Sequence, residues 1–512
     1  MFSQESQFLT GKLVDASNNE PVAFASIQLK GQSIGVISNV DGSFKIPDLY
    51  SGTGDVLVVS CLGYKTVEME TSTLDPLQIN IIPLTVEVMV LDNVTLQYEK
   101  AKKLSARKIV KKAIESIPKN YATDPFSLIG YYREYQYDDG AYVNLSEAIL
   151  EVFDKGFDHN DKLTTKVSIY DRKLNSDFRI DTLARRPYDY RTGEKIINKA
   201  FLQAYGGNEF VILRVHDPIR NYTINSFDFV NELRRDFVKN HRFKKLGDIL
   251  LNDEPIHVIS LKNDHPDHSV KGTLYISKYD FAIHKVEYAV YDKRIEKEPF
   301  KHQEVKIKNN LVFETITEYR KIGEKMYLNY ASFQNAFDLK MPPVFRVEEV
   351  SLNLKQKRIT VTLNKKPDLV SALKPNAYDL RLKKKRLKIR SIKVEGRFVR
   401  IYPEIDKAMM LATVNSLKND QVENTNDTKA IQVEIKNIRS IDGDVLDERQ
   451  IKRYYQFREF FAHKVNATVA FPAEGPFMND KQPIFGKQDL AKPIGKFEIW
   501  MNTPLKALEA PK

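Results

Sequence analysis

The sequence predicts a mainly β, multidomain protein. We expect a small N-terminal β-sandwich, a central antiparallel curved sheet (half-barrel) with one packed helix, and a C-terminal β-sandwich. Three observations predict this. Apolar and polar residues alternate in short runs along most of the chain, the period of half-buried strands. Turn pairs such as Asp41-Gly42, Asp139-Gly140, Glu395-Gly396 and Asp442-Gly443 punctuate those runs. The clearest helical stripe lies in one stretch, Lys100–Tyr121. The 512 residues suggest three or four domains, at roughly 100–200 residues each. The boundaries fall at 1–92, 93–340 and 341–462, with 463–512 as an extended tail.

Composition narrows the class. There are 25 Tyr and 28 Phe, and the formal net charge is +11. Aromatic and β-branched residues in short alternating runs favour sheet. The charge favours solubility and attraction to anionic surfaces, and specifies no fold. No apolar run approaches the ~18–20 residues of a membrane helix. The regular ten-residue lipid-facing strands of a membrane barrel are also missing, so the chain reads as not transmembrane. The one cysteine, Cys61, excludes an intrachain disulfide and Cys-rich zinc sites. It sits in the apolar run Val56–Leu62 and reads as a buried, inert thiol. Met1-Phe2-Ser3-Gln4 looks like the end of a secretory signal that begins upstream. The expected location is extracytoplasmic, in the periplasm or associated with an outer membrane.

Residues 8–84 alternate as strands do. Asn18-Asn19 makes a turn, and Pro21 opens the next strand where its missing N–H does no harm. Ala23, Ala25, Ile27 and Leu29 keep period two, and Asp41-Gly42 is the strongest hairpin signal. Gly63-Tyr64 breaks the following run. Gly11, Val14 and Asp15, then Pro21, Ala25 and Ile27, then Gly35, Asp41, Gly42 and Phe44, then Ser60, Gly63 and Tyr64 form one pattern. It resembles the carboxypeptidase-regulatory-like family, a transthyretin-like β-sandwich. The chain departs from it at Ser38-Asn39, where the family has Thr-Asp. The resemblance covers about the first sixth of the chain. It implies a non-catalytic module of the kind found beside metallocarboxypeptidase domains and at the front of outer-membrane receptors.

Leu104, Ile109, Val110, Ala113, Ile114 and Ile117 fall on one helical stripe, with Ser105 as cap and Pro118 as stop. From Phe126 to about Phe337 strand follows strand, interrupted by a polar region at Arg172–Arg191 and a helical patch at Phe227–Lys239. Ile129, Tyr131 and Arg133 alternate with Tyr132 and Glu134 as a strand does, and the strands expected after it are Tyr142–Phe153, Ile256–Leu261, Gly272–Ser277, Phe281–Tyr291, Lys301–Lys308, Leu311–Arg320 and Met326–Phe337. Short turns between them make neighbours antiparallel. The segment Lys271–Tyr288 resembles the strand-turn-strand of the lipoprotein-carrier half-barrel superfamily, which implies a concave face able to hold an acyl chain. Pro342-Pro343 marks a boundary. Runs at Phe345–Leu354, Ile359–Leu363, Leu387–Val394, Phe398–Tyr402, Ala408–Val414 and Ile431–Ile435 read as a second sandwich. With Asn437 through Gly443 they resemble bacterial Ig-like domains.

The sequence carries no phosphate-cradling glycine loop and no H-E-x-x-H. The one H-x-x-E pair, His284 and Glu287, sits in an expected strand, where residues three apart face opposite ways. That disfavours a metallocarboxypeptidase. Asp264, His265, Asp267 and His268 read as a polar loop before they read as a metal site. We expect no catalytic residue, no metal and no cofactor. Two patches are candidate sites. Arg381, Lys383, Lys384, Lys385, Arg386, Lys388 and Arg390 could contact an anionic surface, or form a solvated hairpin with Leu387 and Ile389 turned inward. They lack interleaved aromatics, which argues against nucleic acid. Tyr131, Tyr132, Tyr135, Tyr137 and Tyr142 could line a ligand groove, or be ordinary sheet residues.

The first functional reading is a non-catalytic extracytoplasmic scaffold or accessory protein of outer-membrane machinery, with an envelope protein as partner. A lipid or lipoprotein carrier with an acyl ligand is the alternative, and a hydrolase with a dispersed site is the third. Oligomeric state is not written in the sequence.

Overall fold

The structure is a computed structural model. It describes residues 8–31, 35–50, 54–61, 63–86, 104–138, 141–186, 195–196, 208–224, 232–251, 254–294, 310–353, 355–382, 385–404, 431–492 and 499–505. It is mainly β and falls into two compact units, one made of Met1–Asp338 with Arg453–Lys512, the other of Leu339–Lys452.

The first unit begins with seven strands: β1 (Phe8–Asp15), β2 (Ser26–Leu29), β3 (Gly35–Ile37), β4 (Ser43–Pro47), β5 (Val56–Ser60), β6 (Val67–Glu70) and β7 (Ile79–Leu84). They form two sheets, ordered β4-β1-β7 and β3-β2-β5-β6. Alternation along β1 and β2 turns Leu9, Leu13, Ile27 and Leu29 into one core with Phe44, Leu57 and Val59. Cys61 is half-buried against that core rather than fully buried. Asp41-Gly42 does not close a hairpin. It passes the chain from β3 in one sheet to β4 in the other. Gly42 needs its φ of +76°, because a side chain there would meet the Leu13 carbonyl.

Helix α1 (Ala106–Glu115) starts at Ser105, whose hydroxyl accepts from the Lys108 N–H at 3.4 Å. Its stripe Ile109, Val110, Ala113 and Ile114 is buried. The helix breaks at Ser116 and restarts as α2 (Ile117–Asn120), with Pro118 in the first turn, where its missing N–H costs nothing.

The large sheet takes β8 (Phe126–Asp138), β9 (Ala141–Asp154), β10 (Lys166–Leu174), β11 (Lys195–Ile196), β12 (Arg242–Leu251), β13 (Glu254–Asp264), β14 (His268–Ser277), β15 (Ile283–Asp292), β16 (Leu311–Ile322) and β17 (Lys325–Lys340). Helices α3 (Asp161–Thr164) and α4 (Glu209–Val215) interrupt the series. Of the expected helical patch Phe227–Lys239, residues 225–231 lie outside the described residues, and Leu233–Phe237 is a turn of π-helix continued by Val238–Asn240. The expected strands at Lys301–Lys308 and Ala408–Val414, and the turn Asp139-Gly140, also lie outside the described residues.

The second unit holds β18 (Val347–Asn353), β19 (Arg358–Leu363), β20 (Tyr378–Leu382), β21 (Lys385–Arg386), β22 (Ile389–Glu395), β23 (Phe398–Pro403) and β24 (Ile431–Ile435). Sheets ordered β18-β19-β23-β22 and β21-β20-β24 share one core around Val361, Leu380 and Ile401. The unit is an insertion. Its two ends meet where the Met341 N–H donates to the Gln450 carbonyl at 2.8 Å.

One boundary from the sequence needs correcting. The span 341–462 assigned Ile451–Phe461 to the C-terminal sandwich, but β25 (Ile451–Asn466) is a central strand of the large sheet. The order is β10-β9-β8-β25-β17-β16-β15-β14-β13-β12, with β11 beside β17. The strand carries Arg458, Glu459 and His463 into the interior, where they are 0%, 3% and 2% exposed.

Candidate functional site

Period-two alternation gives the large sheet two faces with different coverings. On one lie α1, α2 and α4. Asn208 caps α4 by accepting from the Phe210 and Val211 N–H groups at 3.2 Å. Phe210 of α4 meets Tyr132 and Phe460 edge-on. Arg458 donates to Glu209 and, at 2.6 Å, to Asn335. Tyr121, just past α2, donates to the Ile283 carbonyl at 2.7 Å.

Beneath α4 is a cavity of about 40 Å³, room for one or two waters. Phe126, Leu128, Phe157 and Leu213 supply apolar wall. The polar wall is a set of closed pairs. Arg220 is bidentate on Asp154 at 2.8 and 2.9 Å, and Arg214 pairs with Asp161. Asp217 accepts from the Tyr319 hydroxyl at 2.6 Å and from the Ile219 and Arg220 N–H groups. Burial pushes its carboxyl up to about 6. A raised carboxyl beside a cavity is one mark of an active site. Here its proton acceptors are spent on Tyr319 and on the turn after α4, so the arrangement pins that turn to β16. Its volume is also too small for an acyl chain.

The other face carries the N-terminal module. Asn39, fully buried, accepts from Arg133, and Arg133 also pairs with Glu459. Glu459 accepts from the Tyr330 hydroxyl at 3.1 Å. Phe24 stacks on Tyr330 with centroids 5.7 Å apart. It does so from a φ of +60°, a strained value for a bulky residue. The segment 499–505 straps the two together. Trp500 joins the module core, and its indole donates to the Lys45 carbonyl at 2.8 Å. Asn502 donates to the Ile37 carbonyl and accepts from the Lys45 N–H, both at 2.8 Å. Thr503 donates to Glu147 at 2.7 Å.

The five candidate tyrosines are no more than 7% exposed. Tyr132 faces α4, while Tyr135, Tyr137 and Tyr142 pack with Val40 of the module and Phe457. Tyr131 donates to Glu147 at 2.6 Å and packs with Ile499. The expected groove is therefore filled, because the module and the strap cover that face. In the basic run, Arg381 and Arg386 pair with Asp379 at 2.7 and 3.2 Å, and Lys388 and Arg390 are exposed. Leu387 is buried and Ile389 half-buried. Lys383, Lys384 and the Lys385 side chain lie outside the described residues. His284 sits 3.4 Å from Glu254, while Glu287 pairs with Lys285. His268 meets Asp267 at 2.8 Å and stacks on His265. Among the described residues no group of three or more His, Cys, Asp or Glu could hold a metal ion. No helix among them is long and apolar enough to cross a membrane.

The module exposes one apolar edge. The sheet order ends at β7, and Leu77, Ile79 and Ile81 are 91%, 38% and 58% exposed. Ile79 and Ile81 alternate along β7 and share one outward side of the strand, and Leu77 lies in the turn just before it. The sequence reading missed this edge, although the alternation in LQINIIPL was a usable signal.

Residues 9–96 match the model of the CarboxypepD_reg-like domain. No curated protein matches the chain. Among solved structures, a LolA superfamily protein of Nitrosomonas europaea is 14% identical. That match covers 45% of this chain and 86% of the other, at a TM-score of 0.20. A domain assigned as an outer membrane lipoprotein-sorting protein of Vibrio parahaemolyticus is 11% identical, with the same coverage and a TM-score of 0.22. A DUF1329 family protein of Desulfovibrio piger is 7% identical and covers 45% of this chain and 87% of its own, at 0.20. At these TM-scores the likenesses carry no argument about function.

Proposed function

We propose that this protein is a non-catalytic extracytoplasmic scaffold that docks an envelope protein through its N-terminal module. The observation that carries the reading is the contrast between the module's two sides. One is sealed onto the large sheet by Asn39, Arg133, Trp500 and Asn502. The other ends in β7, an edge strand with Ile79 and Ile81 on its outward side and Leu77 exposed in the turn before it. Soluble domains ordinarily guard such an edge with charge, proline or a covering element; Pro83 guards the end of β7, and the exposed Ile79 and Ile81 precede it. An exposed apolar edge fits an extended segment of a partner that adds as a further strand. The resemblance of residues 9–96 to a non-catalytic module supports the same reading. The closed ion pairs under α4 fit a packed support better than a reaction centre.

The test is affinity capture from envelope membranes, comparing the unaltered chain with L77D/I81D. Both positions are exposed, so the variant should fold. An envelope protein should co-purify with the unaltered chain and be lost from the variant. A partner-free monomer in both samples would overturn the reading.

A further inference from the structure

A groove of about 510 Å³ runs between α1 and the turn Leu233–Asn240, a volume typical of small-ligand sites. Its walls are fixed, since α1 buries Ile109, Val110 and Ala113 while the turn buries Phe237. Its rim is basic. Arg107 and Lys111 of α1 face Arg234, Arg235 and Lys239. Among the described lining residues Glu115 is the acidic one, and Lys111 lies 3.7 Å from it. Arg235 lies 3.9 Å from Glu232. Arg107, Arg234 and Lys239 form no ion pair among the described residues. Between the cations lies apolar floor from Ile114, Tyr222, Leu233 and Val238.

The charge distribution breaks a local rule. The first turn of α1 holds Arg107 and Lys108 and no acid. The positive end of a helix dipole disfavours cations there. Such a sequence gives up helix stability to concentrate positive charge over an apolar floor, the kind of local violation found at functional sites.

We propose that this groove binds the phosphate-bearing headgroup of an anionic phospholipid. Arg107, Arg234 and Lys239 would take the phosphate oxygens, the arginines as planar forks. Ile114, Leu233 and Val238 would take the first carbons of the acyl chains. The site is separate from the β7 edge and would place the protein against a membrane surface.

The experiment is co-sedimentation of the full chain with vesicles of phosphatidylcholine alone or mixed with phosphatidylglycerol. Binding should need phosphatidylglycerol. R234Q/K239Q should weaken it by about thirtyfold at an unchanged melting temperature, while K355Q/K393Q and L77D/I81D bind as the unaltered chain does. A short-chain soluble phosphatidylglycerol should release the bound protein, and inorganic phosphate or poly-glutamate at equal charge should not. Equal binding to both vesicle types would overturn the proposal. So would a loss confined to K388Q/R390Q in the second unit, or release by phosphate or poly-glutamate as effective as release by the lipid.

Discussion

Trp500 donates its indole N–H to the carbonyl of Lys45 at 2.8 Å, so the last described segment of the chain is tied to β4 near its beginning. Trp500 is the only tryptophan in the chain. Its ring completes a core otherwise built from residues 9–84. The strap is therefore part of the module's fold, and the module is fixed to the sheet through it.

Truncating Trp500 should be costly. Trp500→Ala removes a buried aromatic and should destabilise by about 3–5 kcal/mol. Trp500→Phe keeps most of the packing and loses the N–H bond, worth about 1 kcal/mol. Urea titrations followed by far-UV circular dichroism would measure both. A cost for Trp500→Ala no larger than that for Trp500→Phe would mean that the strap is dispensable.

Arg133 and Glu459 are each about 4% exposed along their side chains and face one another beneath Asn39. Removing one partner strands a buried charge. Arg133→Met alone should cost about 3–5 kcal/mol, and R133M/E459L should recover much of that loss. A double-mutant cycle reads the coupling. Additive losses would show that the pair does not act as a unit.

His463 is buried against Phe461 and Trp500, and neither ring nitrogen has a hydrogen-bond partner among the described residues. Burial, with Arg320 nearby, pushes its imidazole down to about 3. An unfolded histidine titrates near 6.5. As pH falls from about 6.5 to about 3, the unfolded chain takes up a proton that the folded chain refuses, so stability is lost across that window. His463→Phe should stabilise by about 1 kcal/mol at pH 7. Its advantage should widen as the medium is acidified, by up to about 1.4 kcal/mol per pH unit. Denaturation at several pH values tests this, and a constant advantage would contradict it.

Asp217 shifts the opposite way. Its folded carboxyl titrates at about 6 because of burial, above the unfolded value near 3.9. The unfolded chain gives up its proton first, so this group costs stability as pH rises from about 4 to about 6 and no more above that. The stability of D217N relative to the unaltered chain should rise through that window and then level off. A difference that is flat with pH would rule out a buried carboxyl with a raised pKa.

Much of the architecture was legible because strands, turns and one amphipathic helix declare themselves locally. Ser105 and the stripe from Ile109 to Ile114 identified α1. The strands from β13 to β17 followed from alternation and short turns. What stayed hidden depended on distant partners. The run Phe210–Val215 is apolar except for Arg214, and periodicity cannot separate so short a buried helix from a buried strand. The partners that bury Arg458 and Glu459, namely Glu209, Asn335 and Arg133, lie 123 to 326 positions away, so nothing local in the chain marks β25 as a central strand. Asp41-Gly42 specified a tight turn correctly, but a turn does not say which sheet receives the next strand. The groove beside α1 was illegible for the same reason. Its cations come from two segments more than a hundred residues apart, and only folding sets them face to face.

The account rests most heavily on β7 as a docking edge. The direct measurement is hydrogen–deuterium exchange on the full chain, alone and with the envelope protein it captures. The account predicts slowed exchange in Ile79–Leu84 on binding, with the L77D/I81D chain failing to bind. Unchanged exchange in β7 with protection elsewhere, or undiminished capture by the variant, would contradict it.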